Sequence, residues 1–178
     1  MLFRSYLPKH FHVIEMDWWQ EIPFHDELKI AYTPAQHASG RGVRDQNRAL
    51  WGGFSLLAKT GHCFFAGDTG YHQPLFQKIG EEYGPFDYGL VPIGGYGPEE
   101  KLFGVHATPE QAIKIGEDIG AYKLIGMHWG ALNITTEPLS EPPKRFYAAS
   151  TASQNYRPED VVTLRIGQAI RLYGDPLQ

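Results

Sequence analysis

The sequence predicts an α/β (α+β) unit, a mixed β-sheet with flanking helices. Three observations carry this. Short β-prone runs alternate along the chain with stretches of helical periodicity. Turn punctuation separates them, with 20 glycines and 13 prolines among 178 residues. No internal repeat or linker interrupts the alternation, so residues 1–178 read as one domain.

Taken in order, residues 27–32 alternate polar and apolar as a half-buried strand does. The polar stretch 40–48, with Arg41, Arg44 and Arg48, reads as a loop. Residues 49–58 and 63–66 flank Lys59-Thr60-Gly61-His62, which predicts a hairpin. Leu75, Phe76, Ile79 and Tyr83 lie on one helical face of residues 73–83, and Gly84-Pro85 stops that helix. Residues 88–93 form a short buried strand in which Pro92 marks a sheet edge or the strand's end. Gly94-Gly95-Tyr96-Gly97-Pro98 is irregular. Thr108, Pro109 and Gln111 have the spacing of an N-cap, a first helical residue and a capping-box partner. That helix runs to about Gly120 with Ala112, Ile115 and Ile119 inward. Residues 123–127 are the next strand, and a helix follows near 144–152. Residues 161–165 and 169–173 are expected to pair around Ile166-Gly167-Gln168 as a terminal hairpin.

The charge balance narrows the function classes. Net charge is −4, which gives no bulk field for nucleic acid. The single cysteine, Cys63, excludes an internal disulfide and reads as a buried, inert thiol. No apolar run reaches the length of a membrane span, and the N-terminus lacks the layout of a signal peptide. A cytoplasmic chain is expected, with peripheral membrane contact left open.

The chemistry concentrates at strand ends. His37 closes Thr33-Pro34-Ala35-Gln36-His37, Asp68 closes Phe64-Phe65-Ala66-Gly67-Asp68, and His128 closes Ile125-Gly126-Met127-His128. In each, a β-prone run ends in a metal-ligand type beside a Gly-containing turn. Each alone has a plain reading: Asp68 as a turn aspartate, the histidines as satisfied strand-end side chains. Together they point to a zinc-type site, with three ligands too few for two metals. His106, two residues before the capped helix, is either a proton donor or substrate contact or a solvent-exposed loop residue. Arg41, Arg44 and Arg48 suit phosphate or a solvated loop. Gly94–Gly97 reads as an anion nest or a plain turn. Trp18-Trp19 reads as edge packing or an interfacial contact. His10, His12, His25, His62 and His72 show no pattern.

At these strings, and at Val13-Ile14-Glu15-Met16-Asp17-Trp18-Trp19, Leu50-Trp51-Gly52-Gly53-Phe54-Ser55, Gly84-Pro85-Phe86-Asp87, Pro92-Ile93-Gly94 and His128-Trp129-Gly130, the chain resembles the metallo-β-lactamase superfamily. Within it the resemblance is to the N-acyl-phosphatidylethanolamine phospholipase D group. It implies the C-terminal half of an αββα sandwich and a zinc-dependent phosphodiesterase of phospholipid substrates, with two Zn2+ ions at one rim. By this resemblance His37 ligates the first zinc, Asp68 bridges both and acts catalytically, His128 ligates the second, and His106 stands near the substrate phosphate.

The superfamily signature His-x-His-x-Asp-His is absent from these 178 residues. Without the half of the fold that carries it, the sheet would keep an apolar face open. The chain is therefore expected to be a fragment, inactive alone, unless a complementing chain or a homodimer completes it. Two further readings stand beside this: a non-catalytic module that dimerises or binds a partner, and a single-zinc site from His37, Asp68 and His128.

Overall fold

A computed structural model describes Pro8, residues 10–40 and residues 42–172. Among the described residues, seven strands lie in one sheet in simple sequence order. The first four are antiparallel neighbours: β1 (Glu21–His25), β2 (Leu28–Pro34), β3 (Gly52–Ala58) and β4 (Gly61–Phe65). Then β5 (Phe86–Pro92), β6 (Ala121–Met127) and β7 (Val161–Thr163) continue parallel to β4. Parallel neighbours need crossovers, and helices supply them. α1 (Gln73–Tyr83) leads into β5, α2 (Glu99–Leu102) and α3 (Pro109–Ile119) into β6, and α4 (Glu141–Ala152) into β7.

The helices cover one face. α3 packs on β5 and β6, with α1 and α4 on its flanks. One register row carries the residues beneath them: Ala31, Ser55, Phe64, Leu124 and Val161, all buried. Phe64 is seated against Phe76 of α1 and Phe86 of β5. The next row points to the opposite face and carries Tyr32, Phe54, Phe65 and Leu90. Phe54 and Phe65 pair directly across β3 and β4, and each is 39% exposed.

Local chemistry explains the well-marked elements. Thr108 accepts the Gln111 N–H and the Gln111 side chain accepts the Thr108 N–H, so α3 opens on the expected capping box. It closes at Gly120, whose φ of 68° is the left-handed cap. Pro92 is the last residue of β5, inside the sheet between β4 and β6, so the strand-end reading holds and the edge reading does not.

Three expectations change. β1 and α2 were not foreseen. The terminal hairpin does not form: β7 ends at Thr163 and pairs with β6, and residues 164–172 are not a strand. Residues 165–168 make the expected turn, with the Gln168 N–H donating to the Arg165 carbonyl at 2.9 Å. Ile166 at its tip is fully exposed. Tyr173 lies outside the described residues.

Phe64 is 1% exposed and bridges sheet to helix, so Phe64→Ala is expected to cost about 3–5 kcal/mol. Urea unfolding followed by tryptophan fluorescence measures this; a loss under about 1 kcal/mol would mean the core is not built around that ring.

Candidate metal centre

Strand directions fix where the chemistry gathers. β2 runs parallel to β4, because each is antiparallel to β3, and β4, β5 and β6 are parallel to one another. The C-terminal ends of all four therefore share one rim, the usual place for a site in open α/β sheets. Past those ends lie His37, Asp68, the Gly94–Gly97 loop and His128. His106 arrives from the segment before α3.

Backbone geometry turns these side chains inward. Gly67 has φ +70°, and a Cβ there would lie 2.5 Å from the Gly52 carbonyl oxygen, so the bend before Asp68 requires glycine. His128 itself takes φ +61°, a left-handed conformation uncommon for a non-glycine residue. Thr69, fully buried, ties three segments together. Its hydroxyl accepts the Gln36 N–H at 2.9 Å, and its carbonyl accepts the Ala107 N–H at 2.9 Å. The neighbours of His37 and His106 are thus hydrogen-bonded to the residue after Asp68.

The three imidazoles converge on one carboxylate. His37 Nε2 is 3.2 Å from Asp68 Oδ2, and His128 Nε2 is 3.5 Å from the same oxygen. His106 Nδ1 is 2.9 Å from Asp68 Oδ1. The rings of His37 and His106 stand edge to face at 5.3 Å, and those of His106 and His128 stack at 5.7 Å. His37, Asp68 and His106 each offer a donor atom within 4.8 Å of the other two.

Two features of this cluster fit a cation. His37 Nδ1 is 2.8 Å from the Ala38 carbonyl, and His128 Nδ1 is 3.2 Å from the Gly94 carbonyl. Such contacts place the proton on Nδ1 and turn the Nε2 lone pair toward Asp68, as outer partners of metal-bound histidines do. Further, His37 Nε2, Asp68 Oδ1 and His106 Nδ1 are buried yet satisfy no aligned hydrogen bond, despite their short mutual distances. Buried polar atoms ordinarily have partners. Three that face one another across 3–5 Å are met by a shared metal ion or by extra protons.

Charge coupling follows. Burial opposes ionisation of Asp68, but the His106, His128 and His37 imidazoles override it and hold the carboxyl far below the usual range. The Asp68 carboxylate raises His37 and His128 above the ordinary histidine value, against partial burial. Elsewhere, burial first and Asp87 second push the Cys63 thiol up to about 11, which suits an inert core group.

The remaining candidates divide. Arg44 and Arg48 are exposed on the loop, and Arg41 lies outside the described residues. Trp18 packs edge-on against Trp51 and donates to its carbonyl at 2.7 Å. Two features of the rim had no readable signal in the sequence. One is Glu137, whose carboxylate accepts the Gly95 N–H at 2.7 Å and the Gly97 N–H at 2.9 Å. The anion-nest reading of that loop therefore holds, with the anion supplied by the chain itself. The other is a cavity of about 260 Å³ beside His128, walled by Trp129, Leu132, Ile134, Leu139 and Pro142.

The described residues form a mixed sheet with its donors on one rim and helices on one face. The chain belongs to the metallo-β-lactamase superfamily: the family model described as a β-lactamase superfamily domain matches residues 2–129. It is 34% identical over 160 residues to N-acyl-phosphatidylethanolamine-hydrolyzing phospholipase D 1 of Caenorhabditis elegans, covering 88% of this chain and 45% of that protein. It is 37% identical over 139 residues to the mitochondrial N-acyl-phosphatidylethanolamine-hydrolyzing phospholipase D of Saccharomyces cerevisiae, covering 75% and 30%. The chain thus spans less than half the length of these relatives. Among solved structures, a metallo hydrolase from Ignicoccus hospitalis superposes with a TM-score of 0.66 at 22% identity, covering 95% of this chain and 61% of that one.

The cluster gives the metal-free chain a signed pH dependence. Asp68, lowered on folding, contributes stability above its unfolded pKa of about 3.9, lost only as pH falls through its much lower folded value. His37 and His128, raised on folding, contribute stability fully present below about 6.5 and lost as pH rises through their folded values. With metal chelated, the urea midpoint is expected to fall between about pH 5.5 and about pH 9, and Asp68→Asn to flatten that fall. Equal slopes in both proteins would show that the cluster is uncoupled.

Proposed function

We propose that this chain carries the Asp68 rim of a zinc-dependent phosphodiesterase acting on phospholipids of the N-acyl-phosphatidylethanolamine type. The observation that carries this reading is the convergence of His37, His106 and His128 on one ionised carboxylate. Imidazole and carboxylate donors suit zinc. In this reading His37 and His128 would hold metal through Nε2 together with the Asp68 carboxylate. Bound there, zinc would polarise a phosphoryl oxygen and supply a hydroxide near neutral pH.

The chain's own groups do the rest. Asp68 keeps its negative charge over the working range and presents one oxygen to His37 and His128, the other to His106. His106, held beside Asp68 and still 19% exposed in its side chain, is placed to donate a proton or hydrogen bond to a phosphoryl oxygen. The cavity beside His128 offers an apolar wall of Trp129, Leu132, Ile134 and Leu139 for the hydrocarbon portion of such a lipid. No helix among the described residues is long and apolar enough to cross a membrane.

A second reading rests on the open sheet face. Tyr32 and Phe54 lie 5.2 Å apart, with Phe65 next in the same row. An exposed apolar row on a sheet suits a protein contact, and the chain would then serve as a dimerising module.

Zinc retained after dialysis and ethanolamine-lipid hydrolysis in mixed micelles distinguish the two, measured on the 178-residue chain and on the longest product of its reading frame. Asp68→Ala is expected to abolish zinc retention, and to lower hydrolysis at least about 100-fold wherever it is present. Full zinc retention by that variant, or no zinc and no hydrolysis in either length, would leave the module reading, which sedimentation would then show as a dimer.

A further inference from the structure

The Gly94-Gly95-Tyr96-Gly97 loop runs past the end of β5 and touches two of the three rim histidines. A Cβ on Gly95 would lie 3.3 Å from His128 Cε1 and 3.5 Å from His106 Nδ1, so the backbone itself packs against both rings. The Gly94 carbonyl faces His128 Nδ1 at 3.2 Å. Where this loop sits therefore decides where the His128 imidazole points.

Gly95 has φ +82°, and three of the loop's four residues are glycines, the least restrained type. Tyr96 is its one side chain, buried and bonded to Glu141; the backbone amides are held by the chain segment at residues 135–137. Glu137 Oε1 accepts from the Gly95 N–H and Oε2 from the Gly97 N–H, while the Thr136 N–H donates to the Gly97 carbonyl at 3.2 Å. One carboxylate thereby clamps both ends of a three-residue arc. No room remains for a side chain at Gly97, where a Cβ would lie 2.7 Å from Glu137 Oε2.

We propose that Glu137 is a positioning residue for the metal centre: its two-pronged grip on Gly95 and Gly97 sets the Gly94 carbonyl that orients His128. Glu137 touches none of the rim donors and acts through backbone alone. Burial disfavours its charge, yet the surrounding donors, Gly95 and Gly97 among them, keep the carboxyl below its ordinary value. The grip is thus the charge-assisted kind, stronger than a neutral hydrogen bond. Glu137 also lines the apolar cavity beside His128, so the same residue sets one wall of that cavity and one ligand of the centre.

This rests on reading the histidine–aspartate cluster as a metal site, and the test separates the two. Zinc affinity of the full chain is measured by competition with a chromogenic chelator for wild type, Glu137→Ala, Glu137→Gln and Glu141→Gln. Thermal melts in EDTA accompany each. Glu141 is the comparator because it bonds Tyr96 Oη at 2.9 Å and Arg145 at 3.4 Å but no amide of the nest. Outer partners of metal ligands are worth about 10–100-fold in affinity, so Glu137→Ala is expected to weaken zinc binding by about 10-fold or more. Glu137→Gln, isosteric and still able to accept one N–H, should fall between it and wild type, and it decides the matter if Glu137→Ala does not fold. Glu141→Gln should match wild type in affinity whatever its melt. Wild-type affinity in both Glu137 variants, or an equal loss in Glu141→Gln, would overturn the positioning role alone. A wild-type chain that takes no zinc would overturn the metal reading and this role with it.

Discussion

A charged carboxylate, half-buried at the end of a sheet, must be met by positive charge or by aligned hydrogen-bond donors. Asp68 is in that position, and the rim is arranged around its demand. Burial would neutralise it; three imidazoles within 3.5 Å keep it ionised. None of them is its sequence neighbour, so the demand is satisfied only when β2, β4, β6 and the entry to α3 are all in place. Thr69 shows how tightly the arrangement is tied to the backbone. It hydrogen-bonds the segments carrying His37 and His106, so Asp68 and its partners cannot drift apart without breaking buried bonds.

The same geometry carries a tension that only a cation or protons relieve. Lone pairs of His37 Nε2 and an Asp68 oxygen 3.2 Å apart repel when both groups are unprotonated. A metal bound there would turn that repulsion into two bonds; without one, His37 and His128 are favoured to take up protons, and their pKa values rise. Protonation would compete with any metal for the same nitrogens.

Much of this was legible in the sequence where a local signal and the tertiary role coincide. α1 and α3 fall at their expected bounds because apolar spacing and, for α3, capping and a terminal glycine all agree. The convergence of His37, Asp68 and His128 was legible because each ends a β-prone run, and β2, β4 and β6 all run in one direction, so those ends share one rim. β1 was missed because its residues are largely exposed and carry a proline, so no alternation marks them. The terminal hairpin was over-read: residues 161–163 are apolar because they pair with β6 on the sheet, not because a partner strand follows. His106, two residues before the capped helix, was readable either as a rim group or as an exposed loop histidine, because a loop residue has no periodicity to decide between them; it lies 2.9 Å from Asp68.

Glu137 was illegible for a deeper reason. Its partners lie 40 and 42 residues away and are backbone amides, which no side-chain pattern records. Yet its presence answers a question that the sequence raises. A glycine-rich loop beside the histidine cluster would ordinarily be its softest part, because glycine loses the most freedom on ordering. A nest of amides left empty would also attract passing anions. Filling the nest with an internal carboxylate removes both problems at once. It stiffens the backbone against which His106 and His128 pack, and it occupies the amides of the nest.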